Sequence, residues 1–573
     1  MPAKDSKNSI CQTCLNLDFD LLPAKDPPCT LDDYMITVTF SELKASSEIG
    51  GCLPCQILCT GLEKMRHDWD EADEEGIENE YLTDKTQLGI NLRRENASIP
   101  AFGIGREVAT EMNLSKCLEL ATLWMKACDE EHEICKRSDE SRLPTRVVDV
   151  GVDPKSDTVH LKEAKETDRH PYMSLSHCWG LEQIITTTTN TLQARKAGIK
   201  LSELSKTFRH AIELTRGLGI RYLWIDSLCI IQDDFKDWEV ESAKMADVYM
   251  NSQLNIAATH SSSGKGGCFA ERWSLDSLNQ VELNVGEDIL IEPDEVEEAK
   301  YKIYVRNALH VAHDHVTRSM DYAHTMELAS PLLGRAWVFQ ERLLSVRTLH
   351  FHAEEMIWEC GFGISCECLR QENFQKGDPD GLLQHNESGQ LKMIYASINS
   401  SSATTSQILD IWLELVKEYC SLKLTKQIDR LTALSGLASR VATRLSGEYL
   451  AGLWSQDLPR ALCWYRESDY RNKKPTFRDN EAHAPSWSWA SIWNDRNDLP
   501  FVNYDMVKVR GFIADPRCEV LDVHCSRSRT NPFVLCGDTW LKIRANLMLK
   551  NATYQHMRLS WRKRVESTDE LVS

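Results

Sequence analysis

Between Pro171 and Ile231 the spacing of apolar positions changes twice. Tyr172-Met173-Ser174-Leu175-Ser176 reads as a short strand, and SKTFRHAIELTR further on repeats its apolar residues at helical spacing. Ser205 or Thr207 offers the N-cap, Gly217 and Gly219 stop the helix, and RYLWID is again an apolar strand. A strand, a helix and a second strand predict a right-handed crossover and a parallel sheet. Ligands of such sheets gather beyond the carboxyl ends of the strands. Those ends are Ser176-His177-Cys178-Trp179-Gly180 and Asp226-Ser227, which makes Ser176, Trp179, Gly180 and Asp226 candidate substrate-binding residues.

The flanks follow other patterns. From Glu111 to Arg137, Leu114, Leu118, Ala121, Met125 and Cys128 recur as the apolar stripe of an amphipathic helix, and LPTRVVDVG predicts a short strand after it. Beyond Phe351, MIWEC and ISCECL read as strands, Gln371 to Ser406 as a linker, and Ser406 to Tyr419 and Lys426 to Thr443 as helices. WSWASIW, FVLCG and TWLKIRANLML predict further strands, with Trp487, Trp489 and Trp493 as a core at period two. The expected class is α/β, a mostly parallel sheet flanked by helices with a C-terminal α+β region. The expected division is 1–143, a cysteine-containing helical region, then 144–351 and 352–573.

Charge and cysteine usage narrow the function. Lys+Arg 66 against Asp+Glu 86 leaves −20, which repels nucleic acid and anionic membranes. No window approaches eighteen uninterrupted apolar residues, and MPAKDSKNSICQTC lacks the apolar core of a secretory signal, so no membrane span and a cytoplasmic address are expected. Twenty cysteines in 573 residues are too few for a disulfide scaffold. Two CxxC pairs, Cys11 with Cys14 and Cys52 with Cys55, present four thiolates suited to a structural zinc; buried free cysteines on helices are the alternative. The acidic run HDWDEADEEGIENE reads as a solvated loop.

Three segments offer chemistry. Trp238, Glu241, Met245 and Val248 share one helical face, so the Glu241 carboxylate sits in an apolar stripe where lost hydration suits it to proton transfer or to stabilising a cationic ribosyl transition state. The alternative is an ion pair with Lys244, Arg221 or another cation. Asp226 is placed to accept ribose hydroxyls or to cap the following turn. In GRAWVFQERLL, Gln340 and Glu341 can hold an amide or hydroxyl and Arg335 a phosphate, unless that face is structural and Glu341 is an ion-pair partner. SSSGKGG at Ser261 to Gly267 lacks the Walker pattern and reads as a mobile loop. Cys178 and His177 are neighbours on a strand and point to opposite faces, which argues against a thiol nucleophile.

The blocks YMSLSHCWG, GIRYLWIDSLCIIQDDFKDWEVESAKMADVYMNSQLNIAAT and GRAWVFQERLLSVRTLHF, in this order and spacing, resemble the fungal heterokaryon incompatibility (HET) domain. GCLPCQIL before them, and GLWSQDLPRALCWY and APSWSWASIW after them, resemble segments that accompany it. The resemblance implies a fungal cytosolic protein of non-self recognition and regulated cell death. HET domains have been likened to TIR domains, some of which hydrolyse NAD with a helical glutamate, and KDWEVE at Lys236 to Glu241 is similar to their tryptophan-and-glutamate segment. On this reading NAD is the substrate, Glu241 the catalytic residue and Trp238 a substrate contact. A non-catalytic adaptor of the same fold and a small-molecule enzyme of a fungal pathway are the alternatives. With no repeats and no nucleotide-triphosphatase module, a trigger has to act through self-association or a partner incompatibility protein.

Overall fold

The structure, a computed structural model, describes residues 11–13, 40–48, 52–70, 88–92, 108, 112–137, 140–181, 184–269, 272, 281–284, 302–307, 316, 330–368, 391–466, 484–492, 502–504 and 519–544. The chain divides into two compact units. The first comprises Met1–Met112, Glu271–His310 and Ser365–Asn373. In it the helices Phe40–Glu48 and Leu53–Asp70 pack together, and strand Lys302–Asn307 pairs antiparallel with both Leu88–Leu92 and Val281–Asn284. Among the described residues, no helix is long and apolar enough to cross a membrane.

The second unit holds the predicted strand-helix-strand. Its strands are β1 (Arg146–Asp149), β2 (Thr158–Glu163), β3 (Tyr172–Ser176), β4 (Ile199–Lys200), β5 (Tyr222–Trp224), β6 (Leu254–Ala257), β7 (Arg347–Phe351) and β8 (Met356–Cys360). They form one sheet in the order β8-β7-β6-β3-β5-β1-β2-β4. Only β7, β6, β3 and β5 run parallel to one another. The expectation of a mostly parallel sheet is therefore corrected: β1, β2 and β4 on one side and β8 on the other pair antiparallel. The physical reason is connection length. Residues 352–355 between β7 and β8 suffice for a reversal and are too few for a crossover.

Helix α1 is Leu114–Glu131, α2 Lys206–Gly217, α3 Phe235–Asn251, α4 Ala336–Leu344, α5 Thr405–Cys420 and α6 Thr432–Ala442. Ser205 is the cap of α2, accepting from Phe208 N at 3.3 Å, and Gly219 takes a left-handed φ of 75° just past its end. Phe208, Ala211, Ile212 and Thr215 form its buried stripe. Every residue of β3, β5, β6, β7 and β8 is buried, as strands covered on both faces require. From β3 the chain moves to β5 on one side, then through α3 back to β6 on the other. Right-handed crossovers then put α2 on one face and α3 and α4 on the opposite one. Neighbouring side chains record this: His177 meets Phe208 of α2 at 4.9 Å, while Ser176 reaches Glu341 of α4.

Buried charges join the elements. Arg146 of β1 binds Cys229 O and Asp237 of α3, each at 2.6 Å. Glu359 of β8 accepts from Arg342 of α4 at 2.7 Å and lies 3.2 Å from His350 Nε2 and 3.6 Å from Lys392 Nζ. Burial works against its ionisation, yet Arg342 and Lys392 hold its carboxyl well below the usual range. Lys392 belongs to the helix Leu391–Ser397, inside the stretch expected to be a linker.

The C-terminal part has the two expected helices, α5 opened by a Thr404 and Gln407 capping box. WSWASIW departs from the expected strand: Ser488 caps a 3-10 turn at Trp489–Ser491 and donates to Ala451 O at 2.5 Å, so alternation here serves a turn. Trp493 lies outside the described residues. Residues Glu519–Arg527 and Leu535–Arg544 form an antiparallel hairpin.

Gly436 marks a tight helix contact, where α6 meets α4 and α3. A Cβ there would lie 2.6 Å from Gln340 Oε1 and 3.0 Å from Ala246 Cβ. Gly436→Ala should therefore destabilise the chain by about 1 to 3 kcal/mol, although alanine is the better helix former. Urea denaturation reads the sign, and a stabilised variant would refute the contact.

Candidate functional site

The direction of the chain reverses between β3 and β6, and at such a switch point the strand ends leave a crevice. Register sets Ser174 opposite Asn255 and Ser176 opposite Ala257. Ser174 donates to Asn255 Oδ1 at 3.1 Å, Asn255 Nδ2 donates to Ser176 Oγ at 3.0 Å, and Ser176 donates to Glu341 Oε2 at 2.5 Å. The Tyr249 hydroxyl faces the same carboxyl from α3. Nearer solvent, Trp179 Nε1 donates to Asp226 Oδ2 at 2.9 Å, and Arg335 donates to His177 O at 3.1 Å. Gly180 has φ 76°, and a Cβ there would sit 2.6 Å from Ser263 Cβ, so the loops after β3 and β6 touch through it.

Burial grades the polar groups of this rim. The Asp226 side chain is 25% exposed, whereas Glu341 is 6% exposed. Burial pushes the Glu341 carboxyl up to about 7, Asp226 adding to the rise against the bonds from Ser176 and Tyr249 and the charge of Arg335. Burial lowers His177, against the attraction of Asp226, whose Oδ1 lies 3.7 Å from Nδ1. Among the described residues, His177 Nε2 is buried without a hydrogen-bond partner. Burial also pushes the Cys178 thiol up, the opposite of an activated nucleophile.

The candidate residues from the sequence thus divide. Ser176, Trp179, Gly180, Asp226, Arg335 and Glu341 come together at the strand ends. Glu241, 3% exposed, binds Lys244 at 3.0 Å on the β1 side of the sheet, and Lys244 also binds Thr145. Trp238 stacks on Phe235 near the start of α3. Gln340 accepts from Gly436 N at 3.1 Å in the packing of α4 on α6. Asp226 Oδ1 accepts from Ser227 N at 2.6 Å, so this carboxylate also serves the following turn. Ser261 to Gly267, read as a mobile loop, is bonded to α2 through Gly264 O and Thr207.

Among the described residues, each unit has a cysteine group close enough to share a metal ion. Cys11, Cys52 and Cys55 have sulfurs within 4.8 Å of one another, with Cys11 and Cys55 at 3.8 Å; Cys14 lies outside the described residues. The second group, Cys128, His132, Cys135 and Cys360, was not read from the sequence. Its signal was the spacing C-x3-H-x2-C, hidden because Cys128 also fits the apolar stripe of α1 and Cys360 lies 228 residues from His132.

Residues 172–341 match the family model described as Heterokaryon incompatibility protein (HET). The matched span includes both β3 and Glu341. No curated protein and no solved structure gave a significant match.

The buried carboxyl has a pH signature. With its value moved from 4.5 to about 7 on folding, native Glu341 keeps a proton that the unfolded chain has lost between those limits. Stability therefore falls as pH rises through that window, by on the order of 3 kcal/mol once complete. Glu341→Gln should lack this decline. Denaturation of both proteins at pH 5 and pH 8 measures the difference, and parallel profiles would contradict the assignment.

Proposed function

We propose that this chain is an incompatibility-type effector of non-self recognition and regulated cell death, acting in the cytoplasm, and that its rim hydrolyses the N-glycosidic bond of NAD or a related nucleotide. The observation that carries the reading is a buried carboxyl, Glu341, half-protonated near neutral pH at the switch point of an α/β sheet. Such a group donates a proton or, ionised, stabilises an oxocarbenium-like transition state in a low-dielectric site. Asp226, partly exposed, would take ribose hydroxyls, Arg335 a phosphate, and Ser176 would hold Glu341 in place. Glu241 remains the second carboxylate of this reading; its ion pair with Lys244 favours a supporting part. Assembly with a second copy or a partner incompatibility protein would open the crevice.

A second reading, a non-catalytic adaptor, draws support from the closure of the Ser174, Asn255, Ser176 and Glu341 chain of bonds, which needs no ligand. Nicotinamide release from NAD by the purified chain, measured over a range of protein concentrations, separates the two. The hydrolase reading expects turnover that rises more than linearly with concentration. It also expects a loss on the order of hundredfold or more in Glu341→Gln with little change in melting temperature. Absence of turnover together with intact cell killing by Glu341→Gln would leave the adaptor. Turnover lost in Glu241→Gln alone would transfer the catalytic role to Glu241.

A further inference from the structure

We propose that Cys128, His132, Cys135 and Cys360 form a structural zinc site that clasps the two flanks of the incompatibility domain. The chain builds the ligand set in two pieces. Cys128 and His132 lie one turn apart at the end of α1, where His132 closes the helix by donating to Cys128 O at 3.2 Å. A 3-10 turn, Glu133–Cys135, with Cys135 N bonded to His132 O at 2.9 Å, folds the third ligand back. Cys360, the last residue of β8, supplies the fourth.

Geometry and surroundings fit zinc. All four ligand atoms lie within 4.8 Å of one another, and His132 Nδ1 is 3.5 Å from Cys360 Sγ. A tetrahedral zinc with its usual bond lengths has sulfur–sulfur edges of about 3.8 Å and sulfur–nitrogen edges of about 3.6 Å. The three cysteines are buried and in no disulfide, and His132 is half-buried, which leaves three thiols and an imidazole converging. The backbone amides of Gly361, which donates to Val346 O at 3.2 Å, and of Phe362 lie beside the sulfurs of Cys135 and Cys360. The His132 ring stacks on Phe362 with centroids 4.2 Å apart, which fixes its orientation.

Charge fits as well. Zinc with three thiolates and a neutral histidine carries a single net negative charge. Arg347, almost wholly buried, donates to Cys135 O at 2.9 Å and pairs with Asp129, and Arg137 and Lys392 face the sulfurs. Four protein ligands leave no open position, so the site is structural and sulfur-rich, a donor set suited to zinc over magnesium or calcium. Its ligands lie at 128–135 and 360, on either side of the matched residues 172–341. The metal would thus hold α1 to the strand beyond α4 and β7.

The test uses the full chain purified without chelator. Metal analysis should find zinc, and Cys128→Ser and Cys360→Ser should each carry about one equivalent less than the wild type. His132→Cys, which keeps four ligands, should retain that equivalent, and Cys52→Ser, in the other cysteine group, should leave it in place. If the serine variants fold poorly, cobalt(II) exchanged into the Cys52→Ser chain should give the visible bands of a tetrahedral, thiolate-rich site. Equal zinc in wild type and Cys360→Ser would overturn the proposal. So would a folded, metal-free wild type whose cobalt(II) form lacks those bands.

Discussion

A strand covered on both faces can carry a polar side chain only where another element supplies its partner. β3 carries two, Ser174 and Ser176, on the face that meets α3 and α4. Each is satisfied within the sheet by Asn255 of β6, and the outer one also by Glu341. The register of β3 against β6 and the docking of α4 are therefore conditions of one another. A slip of one residue would turn both serines to the α2 face and leave Asn255 and Glu341 buried without them. The crevice at the strand ends inherits its polar floor from this requirement, whatever chemistry it performs.

The strand-helix-strand was legible because its signals are local: an apolar run, an amphipathic stripe and glycine stops. The rim followed from it, since the carboxyl ends of β3 and β5 are adjacent in sequence to His177 and Ser227. What sequence left hidden was pairing at a distance. Glu341 stood out as a polar residue on an apolar helix face, but nothing local names Ser176, 165 residues away, as its partner. Glu241 stood out by the same criterion, and its partner Lys244 is local. The antiparallel margins were legible only in the shortness of the links between strands. WSWASIW shows how alternating aromatics mislead: Ser488 turns the backbone and directs Trp489 Nε1 to Gly452 O.

Most of the described cysteines belong to the core. The group around His132 differs in that its members converge, and convergence is invisible to composition. A helix end, a turn and a strand end each deliver a ligand for their own local reasons, and only the sheet order brings the strand end to the helix.

The Glu359 cluster sets where this chain can be cut. Glu359 lies on a strand buried on both faces, and its counter-charges come from α4 and from Leu391–Ser397, fifty residues beyond the matched span in the case of the latter (391 − 341 = 50). A recombinant piece that stops at the family boundary would keep Arg342 at most as a terminal residue and discard both the carboxylate and the lysine. One that stops after β8 would seal a carboxylate into the sheet with half of its neutralising charge gone. Electroneutrality of this cluster therefore argues for a fragment that extends past the helix that carries Lys392.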